Sequence, residues 1–218
     1  MKTSYILLLV SLLLLLSGCF DTEDIPVYED VEGVVLLNGE PVANADIHIR
    51  NHFNPGGFSF PQDPLEDYSF IFNTPTDGQY IASLFRHGAD TVYATFFDAR
   101  LEFGQNEIQI PDTLLTNGIV GYQVSSPVTR LAADLFLVNK PDSTLPESLP
   151  FAKTGLNGQF LLNAAYLALG RSFRTGSGSG FEVNDSLQII IVRDEQIIRK
   201  EEVYIAPDQS NFFEINLD

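Results

Sequence analysis

Tryptophan is absent from this chain, methionine occurs once, at Met1, and cysteine once, at Cys19. A single thiol cannot form an intramolecular disulfide, so the fold must rest on apolar cores even in an oxidising compartment. Basic residues are scarce. Twelve Lys and Arg stand against 29 Asp and Glu, a formal charge of −17 over 218 residues. A field of that sign keeps the chain soluble and repels nucleic acid and anionic lipid, so no nucleic-acid partner is expected. The acids are spread along the chain and do not by themselves point to a metal. Also missing are His-Glu-x-x-His, any His-x-x-Glu zinc pair, and a glycine-rich loop ending in Gly-Lys-Ser/Thr. We therefore expect no enzyme, no metal and no cofactor.

What is abundant is phenylalanine, with 17 copies, accompanied by many Val, Ile and Tyr. These residues favour strands. Short alternating runs bounded by turn residues follow one another. Val31 to Leu37 leads into Asn38-Gly39, a tight-turn pair, and then Glu40-Pro41. Ala45 to Ile49 alternates as a half-buried strand should. Tyr68, Phe70 and Phe72 share one face. Asp77-Gly78 reads as a hairpin turn before Gln79 to Leu84. Thr91 to Phe97 and Asn106 to Ile110 complete a first block that ends at Pro111-Asp112.

A second block repeats the first in order. Gly33-Val34-Val35 matches Gly118-Ile119-Val120, and Ala45 to Asn51 matches Ala133 to Asn139. Thr74 through Gly78-Gln79-Tyr80 matches Thr154 through Gly158-Gln159-Phe160. Asp90-Thr91-Val92 matches Asp185-Ser186-Leu187. The expectation is an all-β protein of two tandem Ig-like or prealbumin-like antiparallel β-sandwiches, residues 28–112 and 116–218. A single larger sandwich is the alternative. Asn163 to Gly170 interrupts the pattern as a short helix stopped by Gly170, or as one more strand. Arg171 to Gly180 reads as a flexible loop.

The amino terminus has the layout of a secretion signal. Lys2 is the positive flank, Ile6 to Leu16 is apolar apart from Ser11, and Ser17-Gly18 are small. The apolar run is roughly half the about 20 residues that a membrane-spanning helix needs. Leu16-Ser17-Gly18-Cys19 resembles the lipobox of bacterial lipoprotein precursors at all four positions. The resemblance implies cleavage before Cys19, diacylation of its thiol and acylation of the new amino group. Two or more acyl chains anchor a protein stably. Residues 1–18 are then a signal peptide and residues 19–27 an acidic tether, and the mature chain carries −18, since only Lys2 is lost. Phe20 stands where inner-membrane retention signals of such lipoproteins carry Asp, which implies the outer membrane. The acids Asp21, Glu23 and Asp24 resemble surface-export signals and fit a solvated tether equally. The implied place is the cell envelope, with the membrane as partner through Cys19.

Gly33-Val34-Val35, Gly39-Glu40-Pro41, Ala43 to Ile47 and Thr76-Asp77-Gly78-Gln79-Tyr80 together resemble the carboxypeptidase regulatory-like domain. That family implies a transthyretin-like sandwich of about seven strands and an accessory role, not catalysis. The resemblance is fainter over 118–162, where Ser125-Ser126-Pro127 replaces the Asn-Gly-Glu-Pro turn and Asn157 replaces the aspartate before the turn glycine.

Candidate binding residues are Phe53, Phe58 and Phe60, in a loop followed by Asp63, Glu66 and Asp67, and Arg171 and Arg174 beside Gly176 to Gly180. Aromatics on a loop can fill a partner's pocket, stack on a sugar or fold over the core. The two arginines make one local basic spot, and the neighbouring backbone could hold an anion. His48 and His52, four apart on a strand, stand roughly 13 Å from each other, too far for one metal. His87 beside Gly88 reads as a turn residue. The expected role is a binding or assembly module for an envelope protein or glycan. The alternatives are a hydrolase with a carboxylate site between the domains, and a structural spacer.

Overall fold

The computed structural model describes residues 26–54, 68–88, 91–174 and 180–217. Its strands, in chain order, are β1 (Val31–Leu37), β2 (Glu40–Pro41), β3 (Asp46–Asn54), β4 (Ser69–Thr74), β5 (Gly78–Arg86), β6 (Val92–Leu101), β7 (Gly104–Gln109), β8 (Gly118–Ser125), β9 (Arg130–Val138), β10 (Ala152–Lys153), β11 (Gln159–Leu162), β12 (Ser172–Arg174), β13 (Gly180–Arg193), β14 (Gln196–Tyr204) and β15 (Asn211–Asn216). One short helix, α1 (Ala164–Leu167), lies between β11 and β12. The chain is all-β, as its composition implies.

Among the described residues, four sheets form two lobes. The outer lobe stacks a sheet ordered β11-β1-β15, with β2 on β1, against a sheet ordered β10-β3-β13, with β12 and β14 both on β13. Between them lies one core. Val31 and Val35 come from β1, Ile47 and Ile49 from β3, Leu187, Ile189 and Ile191 from β13, and Ile215 from β15. The second lobe pairs β4 with β7 and packs that ribbon against a sheet ordered β6-β5-β8-β9. Phe72, Tyr80, Ala82, Ile108 and Val124 fill one part of its interior, and Tyr68, Leu84, Ile110, Leu115, Val120 and Val138 another.

The lobes do not coincide with the expected tandem domains 28–112 and 116–218. β1 pairs antiparallel with β11 and parallel with β15, and β3 pairs with β10 and β13. Both sheets of the outer lobe therefore draw strands from either side of the expected boundary. Residues 68–138 form a lobe inserted into the outer one. Each lobe joins the leading strands of one block to the trailing strands of the other. The residues of the regulatory-like motif divide accordingly, with 33–47 in the outer lobe and Thr76 to Tyr80 in the inserted one.

Local signals fare better. Asn38 and Gly39 both take positive φ, at 51° and 78°, and close β1 onto β2. Asp77-Gly78 is not a hairpin, because β4 and β5 belong to different sheets. Instead the Asp77 carboxylate accepts the amide of Phe103 at 2.7 Å. The segment after Leu162 is a helix: Asn163 caps it by accepting the Ala165 amide at 3.0 Å, but it covers only Ala164–Leu167 and stops at Ala168, at φ 57°, before the expected Gly170. Residues 172–174, expected in a flexible loop, are a strand paired with 180–182 of β13.

Two cross-strand pairs place a phenylalanine ring over a glycine. Gly33 faces Phe160, and Gly121 faces Phe85. A Cβ at either glycine would stand 2.3 Å from the ring. Gly33→Ala and Gly121→Ala should each destabilise the fold by about 1–3 kcal/mol, the usual range for overpacking. Urea unfolding with unchanged m-values would measure it; wild-type stability in both variants would mean the rings are not held there.

Candidate functional site

Three regions are candidates for a functional role: the junction between the lobes, the outer face of the β3–β13–β14 sheet, and the free tip of the inserted lobe.

The junction is built on the start of β8, where residues 118–121 are all buried. Alternation sends Ile119 into the core of the outer lobe and Val120 into that of the inserted lobe. Two cations lock this contact. Arg86, at the end of β5, donates to the carbonyls of Phe151 at 2.8 Å and Pro150 at 3.3 Å. Its guanidinium lies 4.6 Å from the ring centre of Phe151, 5.9 Å from Tyr93 and 5.8 Å from Tyr166. Carbonyls and ring faces replace the water lost on burial, which itself pulls the Arg86 pKa below its ordinary value. Lys140 is more deeply enclosed than the half-buried Arg86. Its Nζ donates to the Asp112 carbonyl at 2.5 Å and to Ser148 Oγ at 2.9 Å, and lies 3.3 Å from an Asp112 carboxylate oxygen. Burial lowers its pKa, and Asp112 opposes the shift. Its amide donates to Asn117 Oδ1 at 2.9 Å. These contacts position backbone. Among the described residues no group of three or more His, Cys, Asp and Glu lies close enough to hold a metal.

On the outer face of the second sheet, His48, Arg50 and His52 alternate along β3. His52 lies 2.7 Å from a Glu202 carboxylate oxygen, and the other Glu202 oxygen accepts from Gln188. Arg50 donates to Asn139 Oδ1, Gln188 Oε1, the Lys140 carbonyl and Asp142 Oδ1. Lys200 also pairs with Asp142. The Lys200 ammonium and the Arg50 guanidinium hold the Asp142 carboxyl below the usual carboxylate range. The outcome is a chain of polar and charged contacts across the face of the sheet. His48 is different. It is almost fully buried beside Ile190, and neither ring nitrogen has a partner among the described residues. The two histidines thus have separate surroundings, in keeping with their spacing.

Of the loop candidates, Phe53 sits near the end of β3 opposite Val183, and Arg174 lies opposite Gly180 across β13. The Arg171 carbonyl accepts the Val183 amide at 3.0 Å. The sheet therefore brings the roots of both candidate loops to one end of the outer lobe. Phe53 packs partly against the core and Arg171 is exposed. Phe58, Phe60, Asp63, Glu66, Asp67 and the segment Gly176 to Ser179 lie outside the described residues, as do Cys19 and the side chain of Arg174. His87 is not a plain turn residue: its ring meets that of Phe173 edge-on at 5.0 Å, across the lobe junction.

The tip of the inserted lobe was not singled out in the sequence. Gly78 pairs with Leu101, Thr74 with Gly104, and Ile81 with Ser125, so the turns 75–77, 102–103 and 126–129 meet at one end. Phe103 is 74% exposed and Val128 is 90% exposed there. Both turns are braced, one by Asp77 on the Phe103 amide and the other by Ser126 Oγ accepting the Thr129 amide at 3.2 Å. The available signal was an apolar residue between turn formers, as in Glu102-Phe103-Gly104 and Pro127-Val128-Thr129.

Burial lowers the pKa of His48 to about 4, with Lys140 and Lys153 adding to the effect and Asp46 opposing it. In the unfolded chain it titrates near 6.5. The unfolded state thus binds more protons between these values, so stability is full above about pH 6.5 and falls as pH drops toward 4. The term is roughly 3 kcal/mol. His87, also lowered by burial, acts in the same direction. His48→Leu should flatten urea-measured stability over that window and leave it equal or higher at pH 7, since an unpartnered polar group is removed. An unchanged slope would contradict this. No family model, no curated protein and no solved structure matches this chain.

Proposed function

We propose that this chain is a non-catalytic lipoprotein of the bacterial cell envelope, anchored through Cys19, in which the inserted lobe presents its tip to a protein partner. The exposed pair Phe103 and Val128, on braced turns at the free end of that lobe, carries the reading. Loops fixed on a rigid sandwich are where binding residues concentrate. An aromatic and an aliphatic side chain exposed at the same end of one lobe fit the apolar part of a protein interface, with the exposed Arg100, Glu102 and Arg130 as a charged rim. A sugar would be met by stacking on flat rings, and valine offers none. The half-buried Arg86 and the buried Lys140 fit the same role, because they hold the presenting lobe on the outer one.

The anchor reading rests on the four lipobox positions behind the apolar run. The outer-membrane assignment rests on Phe20.

In-cell crosslinking of the membrane fraction, followed by mass spectrometry, should yield a partner linked to residues near 103 and 128. Phe103→Ser with Val128→Ser should weaken that complex about thirtyfold, the effect of losing an anchor worth about 2 kcal/mol. Undiminished crosslinking in the double variant would exclude the tip. Binding to a glycan array that depends on the same two residues would transfer the site to a sugar ligand.

A further inference from the structure

The start of the described chain is pinned to one end of the outer lobe. The Val27 amide donates to Asp208 Oδ1 at 3.3 Å, and the Asp208 amide donates to the Val27 carbonyl at 2.8 Å. Tyr28 donates its hydroxyl to Asp185 at 2.5 Å, and Asp30 accepts the Ala164 amide at 2.8 Å. That end holds the start of β1, the N-terminus of α1 and the turn between β14 and β15.

If the mature chain begins at a lipidated Cys19, seven residues, 19–25, separate the lipid from Pro26. Fully extended, they reach about 25 Å. β1 alone runs about 20 Å from this end to the opposite one. The tether is thus short on the scale of the lobe it holds.

Large apolar side chains stand in the open around the tether root. Val27 is 63% exposed, Tyr204 61% and Phe212 57%. Tyr204 projects from the outer face of one sheet, since its neighbours Val203 and Ile205 are buried. Phe212 projects from the outer face of the other, opposite Glu32. The root is therefore flanked on both faces by an aromatic ring, and one ring carries a polar tip. This is the chemistry found where protein meets the boundary between headgroups and acyl chains. Glu29, Asp30 and Asp208 are exposed among these side chains, and they disfavour an anionic surface.

We infer that this end of the outer lobe lies on the bilayer that holds Cys19, with Val27, Tyr204 and Phe212 as a lipid-contacting rim on zwitterionic headgroups. The opposite end, with the turns Asn38-Gly39, Gly155 to Gly158 and Asp194-Glu195, then points away from the membrane. The inference rests on the lipid-anchor reading and adds an orientation to it.

The full chain, expressed in a Gram-negative host with p-benzoylphenylalanine at position 204, 212 or 156, would be reconstituted into phosphatidylcholine vesicles and illuminated. Leu156, 88% exposed at the far end, is the control. Lipid adducts at 204 and 212 should exceed those at 156 several-fold, and adding phosphatidylglycerol should lower them. Vesicle flotation and the mass of the N-terminal peptide test the anchor separately. A chain that floats and is acylated, yet gives equal adducts at all three positions, overturns the orientation and leaves the anchor standing. A chain that neither floats nor carries acyl groups overturns both. Higher adduct yields with phosphatidylglycerol overturn the zwitterionic surface.

Discussion

The antiparallel pairing of β3 with β13 holds the outer lobe together. It joins residues about 140 positions apart, from Asp46↔Val192 to Asn54↔Glu182. β13 is the strand that most of the outer lobe leans on. Leu187, Ile189 and Ile191 face the main core, while Ile190 and Val192 pack under Leu145 on the other face. A strand buried on both faces reads as an unbroken apolar run, and Leu187 to Val192 does so apart from Gln188. The parallel pairing of β1 with β15 closes the other sheet over a still longer separation. Pairings of this kind lose much loop entropy before they gain contacts, so the outer lobe should form late, around an inserted lobe whose strands are nearer in sequence.

The inserted lobe is more than an excursion between β3 and the return strand. Its β8 shares residues alternately with two cores, and a pleated strand can do this only where both faces are dry. Where apolar contact ends, Arg86 and Lys140 take over, each donating to backbone carbonyls. A buried cation without its acceptors is costly, so these contacts favour one relative placement of the lobes over alternatives with similar apolar area. Several ionisable groups thus act as fasteners: Arg86 and Lys140 at the junction, and Arg50, Asp142, Lys200, His52 and Glu202 across the outer sheet. The apolar groups left in the open mark the surfaces from which the proposed contacts with a partner and a membrane are argued.

Much of the local structure was legible. Val31 to Leu37 is a strand of the expected bounds, Asn38-Gly39 is its turn, and Asn163 starts a helix, because propensity, alternation and capping act over a few residues. The candidate site was legible only in part. Phe53, Arg171 and Arg174 could be named as separate candidates, but only the pairing of β3 and β12 with β13 brings their segments to one end of a sheet. The exposed tip at Phe103 and Val128 escaped notice because exposure of an apolar residue in a turn depends on which other turns stand beside it.

The repeat shows where inference from sequence stops. Similar blocks in similar order suggested two sandwiches in tandem, since neighbours in sequence usually pair. Strand pairing, however, needs only complementary edges and faces, and here the leading strands of each block pair with trailing strands of the other. By itself the sequence determined the all-β class, the bounds of β1, the approximate places of several other strands, the turn at Asn38-Gly39, the lack of an intramolecular disulfide and the motif around Cys19, because each depends on composition or on contacts within a few residues. Only the tertiary structure decided that 68–138 is an insertion, that Arg86 and Lys140 bind the lobes together at their junction, and which apolar side chains remain in solvent, because these depend on non-local pairing, whose energies are summed over the whole chain.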